Sequence, residues 1–262
     1  MTFLVREFGW FWAKQVYACL FGISLLSLIL LTHFYWPDDS LLARYDFLFL
    51  MALFIQALML TFRLETFDEA KVIFIFHIVG TLMELYKTSG GSWHYPEDNF
   101  FRIAGVPLFS GFMYASVGSY FARVWRLFDF RFTTYPPMPA TVLLALAIYV
   151  NFFTHEILWD FRPLLFIGVL LLYGRTWLHF TPLTVRLKMP IVVALMLGAG
   201  IIWLAENFST YGKIWLYPHQ EAGWMPVPLS KYWAWFLLMI ISGVLVTFAR
   251  RPEPEPEPIR KD

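Results

Sequence analysis

Apolar positions dominate this chain in eight runs, at about 16–35, 43–62, 70–87, 105–125, 140–158, 163–181, 189–208 and 229–249. The runs are continuous rather than alternating. Each reads as a helix that is apolar on all sides, and a length of about 20 residues matches the roughly 30 Å hydrocarbon thickness of a bilayer. Short polar breaks separate several of them, such as Arg63-Leu64-Glu65-Thr66-Phe67-Asp68-Glu69 after the second and Asp160-Phe161-Arg162 after the fifth. Two longer breaks, 88–104 and 209–228, are too polar and too rich in Gly and Pro to be spans. The predicted fold is therefore all-α, a polytopic membrane bundle of eight transmembrane helices.

Three stretches lie outside that pattern. Residues 1–15 mix Arg6, Glu7 and Lys14 with Phe8, Trp10, Phe11 and Trp12, a lead-in suited to the membrane interface. The loop from Arg126 to Pro139 is basic and Pro-rich, and it divides a first four-helix repeat (1–135) from a second (136–250). The alternating Pro-Glu tail, 251–262, is expected to be a disordered, solvated cytoplasmic extension. With four spans per half, the halves run parallel, related by a pseudo-two-fold axis along the membrane normal. Fourteen lysines and arginines lie on the side of the termini and six on the other. The positive-inside rule then puts both termini in the cytoplasm of a multi-pass inner-membrane protein.

Composition agrees with this reading. Hydrophobic residues make up 59% of the chain and charged residues 15%, against about a quarter in soluble domains. A net charge of +1 argues against nucleic acid as a partner and leaves membrane lipids. The single cysteine, Cys19, allows neither an internal disulfide nor a thiolate metal cluster.

The long breaks carry a repeat. Glu84-Leu85-Tyr86-Lys87-Thr88-Ser89-Gly90-Gly91-Ser92-Trp93-His94-Tyr95-Pro96 aligns without gaps on Glu206-Asn207-Phe208-Ser209-Thr210-Tyr211-Gly212-Lys213-Ile214-Trp215-Leu216-Tyr217-Pro218. Glu, Thr, Gly, Trp, Tyr and Pro coincide, and a Val-Pro-Leu follows each copy. Such recurrence marks a duplicated unit. Glu84 and Glu206 are the candidate catalytic residues, because carboxyls among aromatic rings can share acid–base work. His77, Tyr86, Lys87, Thr88, Trp93, His94 and Tyr95, with Phe208, Thr210, Trp215 and Tyr217 from the second copy, are the candidate substrate-binding residues. Lys87 is positioned to neutralise Glu84, whereas Glu206 meets a serine at the matching position, so the two sites are not expected to be equivalent. No His-x-x-His or His-x-x-x-His pair is present, and neither a metal nor another cofactor is expected. The bland alternative makes the aromatic residues an interfacial belt and the glutamates helix ends. His155, Glu156 and Asp160 end the fifth run on the same side, and Gln56 and Asn151 read as interhelical hydrogen-bonding amides.

The stretch His77-Ile78-Val79-Gly80-Thr81-Leu82-Met83-Glu84-Leu85-Tyr86-Lys87-Thr88, with Gly91-Ser92-Trp93-His94-Tyr95-Pro96 and Gly105-Val106-Pro107-Leu108-Phe109-Ser110-Gly111-Phe112-Met113-Tyr114, resembles the bacterial integral membrane family termed domain of unknown function 817. The resemblance covers most of the chain and implies no established activity. A helix-end Glu, a Gly-x-Trp-x-Tyr turn and a Gly-x-Pro opening the next helix are also distantly similar to membrane carotenoid hydratases and small-subunit lycopene cyclases. That likeness implies an acid or base at Glu84. The cyclases' Pro-x-Glu-Glu is Pro107-Leu108-Phe109-Ser110 here, without acids. Three functions follow as expectations: an enzyme acting on an isoprenoid or other long-chain lipid, a small-solute transporter, or a lipid-binding scaffold.

Overall fold

The computed structural model describes residues 2–37, 39–155 and 158–256. Among them nine α-helices form: α1 Thr2–Ala18, α2 Leu20–Tyr35, α3 Arg44–Thr61, α4 Phe67–Ser89, α5 Phe109–Leu127, α6 Met138–Thr154, α7 Arg162–Tyr173, α8 Ile191–Tyr211 and α9 Leu229–Ala249. Four of these, α3, α4, α8 and α9, are long and apolar enough to cross a membrane. A fifth crossing arises if α1 and α2, which meet at a 66° bend, count as one broken span. Of the eight expected spans, four to five are thus long and apolar enough to cross; α6 and α7 are shorter apolar helices, and α5 is not among the candidates.

The differences have local causes. The lead-in is itself helical, and the chain breaks at Cys19 rather than entering the first span smoothly. The sixth expected span, 163–181, is helical only to Tyr173; Trp177–Phe180 is a strand, β4. Leu178 and Phe180 are buried there, while Trp177 is exposed. β4 lies between Arg131–Thr133 (β3) and Leu187–Pro190 (β5) in a three-stranded antiparallel sheet. The start of the tail joins that sheet. Phe132 N donates to Glu253 O at 3.0 Å, Glu255 N donates to Phe132 O at 3.0 Å, and Arg186 holds the Glu255 carboxylate at 2.7 Å. The expected disordered tail is instead extended and docked on the sheet through its described part, because Glu253 and Glu255 find partners there, while residues 257–262 lie outside the described residues.

Helix ends follow their sequence signals. Thr66 and Glu69 form a reciprocal capping box at the start of α4, satisfying two otherwise orphaned amides. α5 is the central helix, buried on most of its length. It approaches α4 closely because glycines leave room: a Cβ on Gly80 would stand 2.6 Å from the Tyr114 ring, and one on Gly118 would stand 2.7 Å from Phe76. A main apolar core fills the bundle, and a second, aromatic cluster containing Tyr45, Trp93, Phe109, Trp215 and Tyr217 closes one end. A short hairpin, β1 (Arg102–Ile103) with β2 (Val106–Pro107), leads into α5 beside that cluster.

Candidate functional site

The two repeated stretches end α4 and α8 in the same way. Ser92 N donates to Lys87 O and Gly91 N to Thr88 O; Ile214 N donates to Ser209 O and Lys213 N to Thr210 O. Each pair of bonds is a Schellman closure, which requires a left-handed residue. Gly91 supplies it at φ 72°, and Lys213 adopts it at φ 53° in place of glycine. The chains then turn toward one another. His94 and Leu216, at equivalent positions, exchange backbone hydrogen bonds of 3.1 and 2.9 Å as an isolated antiparallel bridge.

This meeting positions the carboxylates. Glu84 Oε2 accepts from Trp93 Nε1 at 2.8 Å and from Tyr95 OH at 2.7 Å, while Oε1 accepts from Tyr114 OH at 2.8 Å. Glu206 Oε1 accepts from Tyr217 OH at 2.5 Å and Oε2 from Trp235 Nε1 at 2.8 Å. Both carboxylates are buried. Tyr95 and Tyr217 stand at corresponding positions and play the same part. Burial, followed by the adjacent Glu84 charge, holds the Tyr95 hydroxyl well above the usual phenol range, and burial with Glu206 does the same for Tyr217. Both phenols therefore stay protonated, and stay donors, at neutral pH. The two clusters touch: Trp93 packs edge-on to Tyr217 at 5.9 Å, and Tyr114 lies 6.1 Å from Trp235. The Lys231 ammonium stands 5.2 Å from the Trp93 ring centre and 4.5 Å from that of Tyr217, a cation–π position on a donor of each carboxylate.

Other expected site residues are arranged differently. Trp215 is buried beside Tyr217, but the indole that bonds Glu206 is Trp235, from α9. Thr88 donates to the Glu84 backbone oxygen at 2.7 Å, and Thr210 to Asn207 O at 3.1 Å; both serve helix ends. Tyr86 donates to Phe153 O at 2.5 Å, away from the carboxylates. Phe208 is exposed on the outer surface of α8, and the His94 side chain is exposed. His77 lies tilted on Phe112 at 4.4 Å against Gly111, and neither imidazole bonds Glu84. Lys87 is buried with its ammonium 4.9 Å from the centre of the Phe152 ring, and among the described residues no ion pair joins it to Glu84. The expected neutralisation of Glu84 by Lys87 is replaced by three ring donors. Nowhere among the described residues do three His, Cys, Asp or Glu side chains converge as metal ligands.

A cavity of about 230 Å³ opens beside Trp93, lined by Lys87, Asn151, His155, Arg162 and Lys231 among others. Neither carboxylate lines it. A second void, about 30 Å³, sits between Tyr114 and Trp235 and is walled mainly by apolar side chains. Asn151 takes the Phe161 amide at 2.9 Å, and Asp160 pairs with Arg162 at 2.6 Å; Glu156 lies outside the described residues.

Several residues gave little sequence signal. Tyr114 and Trp235 lie in apolar runs, and their one signal is a shared place eight residues past the valine of each Val-Pro-Leu; helix packing brings them to the glutamates. Arg44 caps the end of α8 through Gly212 O and Lys213 O, at 3.1 and 3.2 Å, and pairs with Glu97 at 2.6 Å. At the opposite end of α4, Glu65 and Arg123 form a fully buried ion pair, joined by Ser119 and Gln56.

Fold and site together define a helical protein with apolar helices long enough for a bilayer and two carboxylates buried under aromatic donors. The chain belongs to the family described as protein of unknown function (DUF817), whose model matches residues 7–243. It is 40% identical over 242 residues to the uncharacterized protein YoaT of Bacillus subtilis (strain 168), covering 92% of this chain and 90% of that relative. No solved structure matches it.

Proposed function

We propose that this chain is a multi-pass inner-membrane transporter of a small solute, in which Glu84 and Glu206 take up and release protons. It is built from two copies of a four-helix unit, with both termini cytoplasmic. The duplication is supported by the matching helix closures, the equivalent Glu–Tyr bonds and the reciprocal His94–Leu216 bridge. The observation that carries the transport reading is the position of the carboxylates. They lie behind the cavity rather than in it, joined to its wall through Trp93 and Lys231. Groups so placed can couple a proton to solute occupancy without touching the solute. Membrane transporters commonly place such polar groups where internal repeats meet.

The test is reconstitution of the full chain in liposomes with an internal pH dye, against inward gradients of small carboxylic acids and phosphate monoesters. A dye response that disappears in Glu84→Gln and Glu206→Gln is expected. Glutamine keeps an acceptor toward the indole in each cluster, and the tyrosine hydroxyls can turn to accept from the new amide, so both variants fold. Absence of proton movement across the whole panel, with folded protein, refutes the reading.

One observation favours a second reading, acid–base chemistry on an isoprenoid or other long-chain lipid. Trp93 is both a donor to Glu84 and a wall of the cavity, so rotation of one indole exposes the carboxylate. Lipid profiles that change in the two Gln variants, without proton flux in the wild type, select it.

A further inference from the structure

We infer that the cavity between α4, α6, α7 and α9 binds an oxyanion, a phosphate or carboxylate group, carried on a small apolar body. The substrate class deepens the transport reading and rests on it, but the binding itself does not. Three basic side chains line this one space: Lys87 from the end of α4, Arg162 from the start of α7 and Lys231 from the start of α9. Three basic groups around one space offer an entering anion several charge-assisted donors. The described carboxylate in contact with them is Asp160, on Arg162. Lys87, Ser92, His155 and Lys231 hold other contacts within the fold, so a ligand shares these groups with the protein rather than finding them idle.

Shape and the rest of the lining complete the specification. At about 230 Å³ the cavity is smaller than the roughly 300–1,000 Å³ of drug-sized sites. It takes a short-chain or single-ring acid, or only the head of a lipid. Trp93 and Phe152 offer aromatic faces, while Ile148, Ala234 and Leu237 form an apolar wall. A simple inorganic ion would leave those faces uncovered, whereas an aryl or short alkyl body covers them.

Occupancy is also connected to the buried carboxylates. The Lys231 ammonium that lines the cavity rests on the rings of Trp93 and Tyr217, which donate to Glu84 and Glu206 respectively. An anion drawing that ammonium toward itself takes positive charge from both donors at once. Binding and proton uptake are thereby linked through one side chain, because a carboxylate that loses nearby positive charge holds a proton more tightly.

The experiment titrates the purified full chain, in neutral detergent, with phenyl phosphate, benzoate and the uncharged control benzyl alcohol, read by tryptophan fluorescence. Saturable binding of at least one anion and none of benzyl alcohol is expected. Lys231→Gln and Arg162→Gln each weaken that binding about tenfold or more, equivalent to about 1.4 kcal/mol, while Lys231→Arg stays within a few-fold of wild type. Ala234→Phe fills the space without altering charge and abolishes binding, which covers the case of a charge variant that fails to fold. Nanodiscs of phosphatidylglycerol against phosphatidylcholine separate the two sources of ligand: retention of phosphatidylglycerol by the wild type alone, without phenyl phosphate or benzoate binding, assigns the site to a lipid head. Equal binding of benzyl alcohol and the anions, or folded charge and Ala234→Phe variants that bind anions and phosphatidylglycerol like wild type, overturns the inference. Anion binding without proton movement in liposomes overturns transport and leaves this site standing; proton movement without binding does the reverse.

Discussion

Arg123→Leu is the most informative single substitution at the end of the molecule opposite the carboxylates. Arg123 and Glu65 are both removed from solvent, and Glu65 is held by Arg123, by Ser119 Oγ at 2.6 Å and by Gln56 Nε2 at 2.6 Å. Arg123 also donates to Tyr17 O at 2.9 Å, tying α1 to α5. Removing the guanidinium leaves a buried carboxylate with two neutral donors and an unmatched carbonyl, a loss of about 3–5 kcal/mol. The double variant Glu65→Leu/Arg123→Leu removes both charges, and well-packed apolar replacement of a buried pair is commonly neutral or favourable. In the register that aligns Val106-Pro107-Leu108 with Val227-Pro228-Leu229, the position of Arg123 is held by Val244, a buried apolar residue. Denaturant unfolding in mixed micelles, followed by circular dichroism, should give a large loss for the single variant and partial or full recovery for the double. A single variant within about 1 kcal/mol of wild type, or a double variant that loses the sum of both singles, refutes the account of a coupled buried pair.

Four further outcomes follow from particular contacts. Glu84→Leu strands the Trp93, Tyr95 and Tyr114 donors and should lose at least about 2–3 kcal/mol more than Glu84→Gln in the same unfolding assay. Gly118→Ala drives a Cβ into the Phe76 ring and should destabilise by about 1–3 kcal/mol, raising hydrogen exchange along α4. Lys213→Gly relieves a left-handed residue in the Schellman turn and should raise stability by roughly 1 kcal/mol, measured as a higher unfolding midpoint. Hydrogen bonds from Arg186 hold the Glu255 carboxyl below the usual carboxylate range. Its contribution is therefore present above that range and lost as pH falls through the lowered value, so the protection factor of the Glu255 amide, corrected for the intrinsic pH dependence of exchange, should fall at acid pH, and Arg186→Gln should lower it at neutral pH.

The mostly helical class, the apolar elements and both glutamates follow from local pattern, because burial imposes long apolar runs and Gly-x-x-Trp-x-Tyr-Pro recurs at both turns. The helix closures at Gly90 and Gly212 are likewise local, since a Schellman end needs only its own six residues. Long-range packing decided the rest. The apolar residues of Trp177–Phe180 have the same composition as a span, and only the pairing partners β3 and β5 make them a strand. Whether Lys87 meets Glu84 is a question of side-chain direction; α4 turns Lys87 toward Phe152, while Tyr114 of α5 supplies the donor. Trp235, rather than the repeated Trp215, reaches Glu206 because α9 lies against α8. The sequence by itself determined which residues must avoid water. The tertiary structure determined which polar groups then had to find one another, since a buried donor or acceptor is satisfied by whatever neighbour packing delivers, at any distance along the chain.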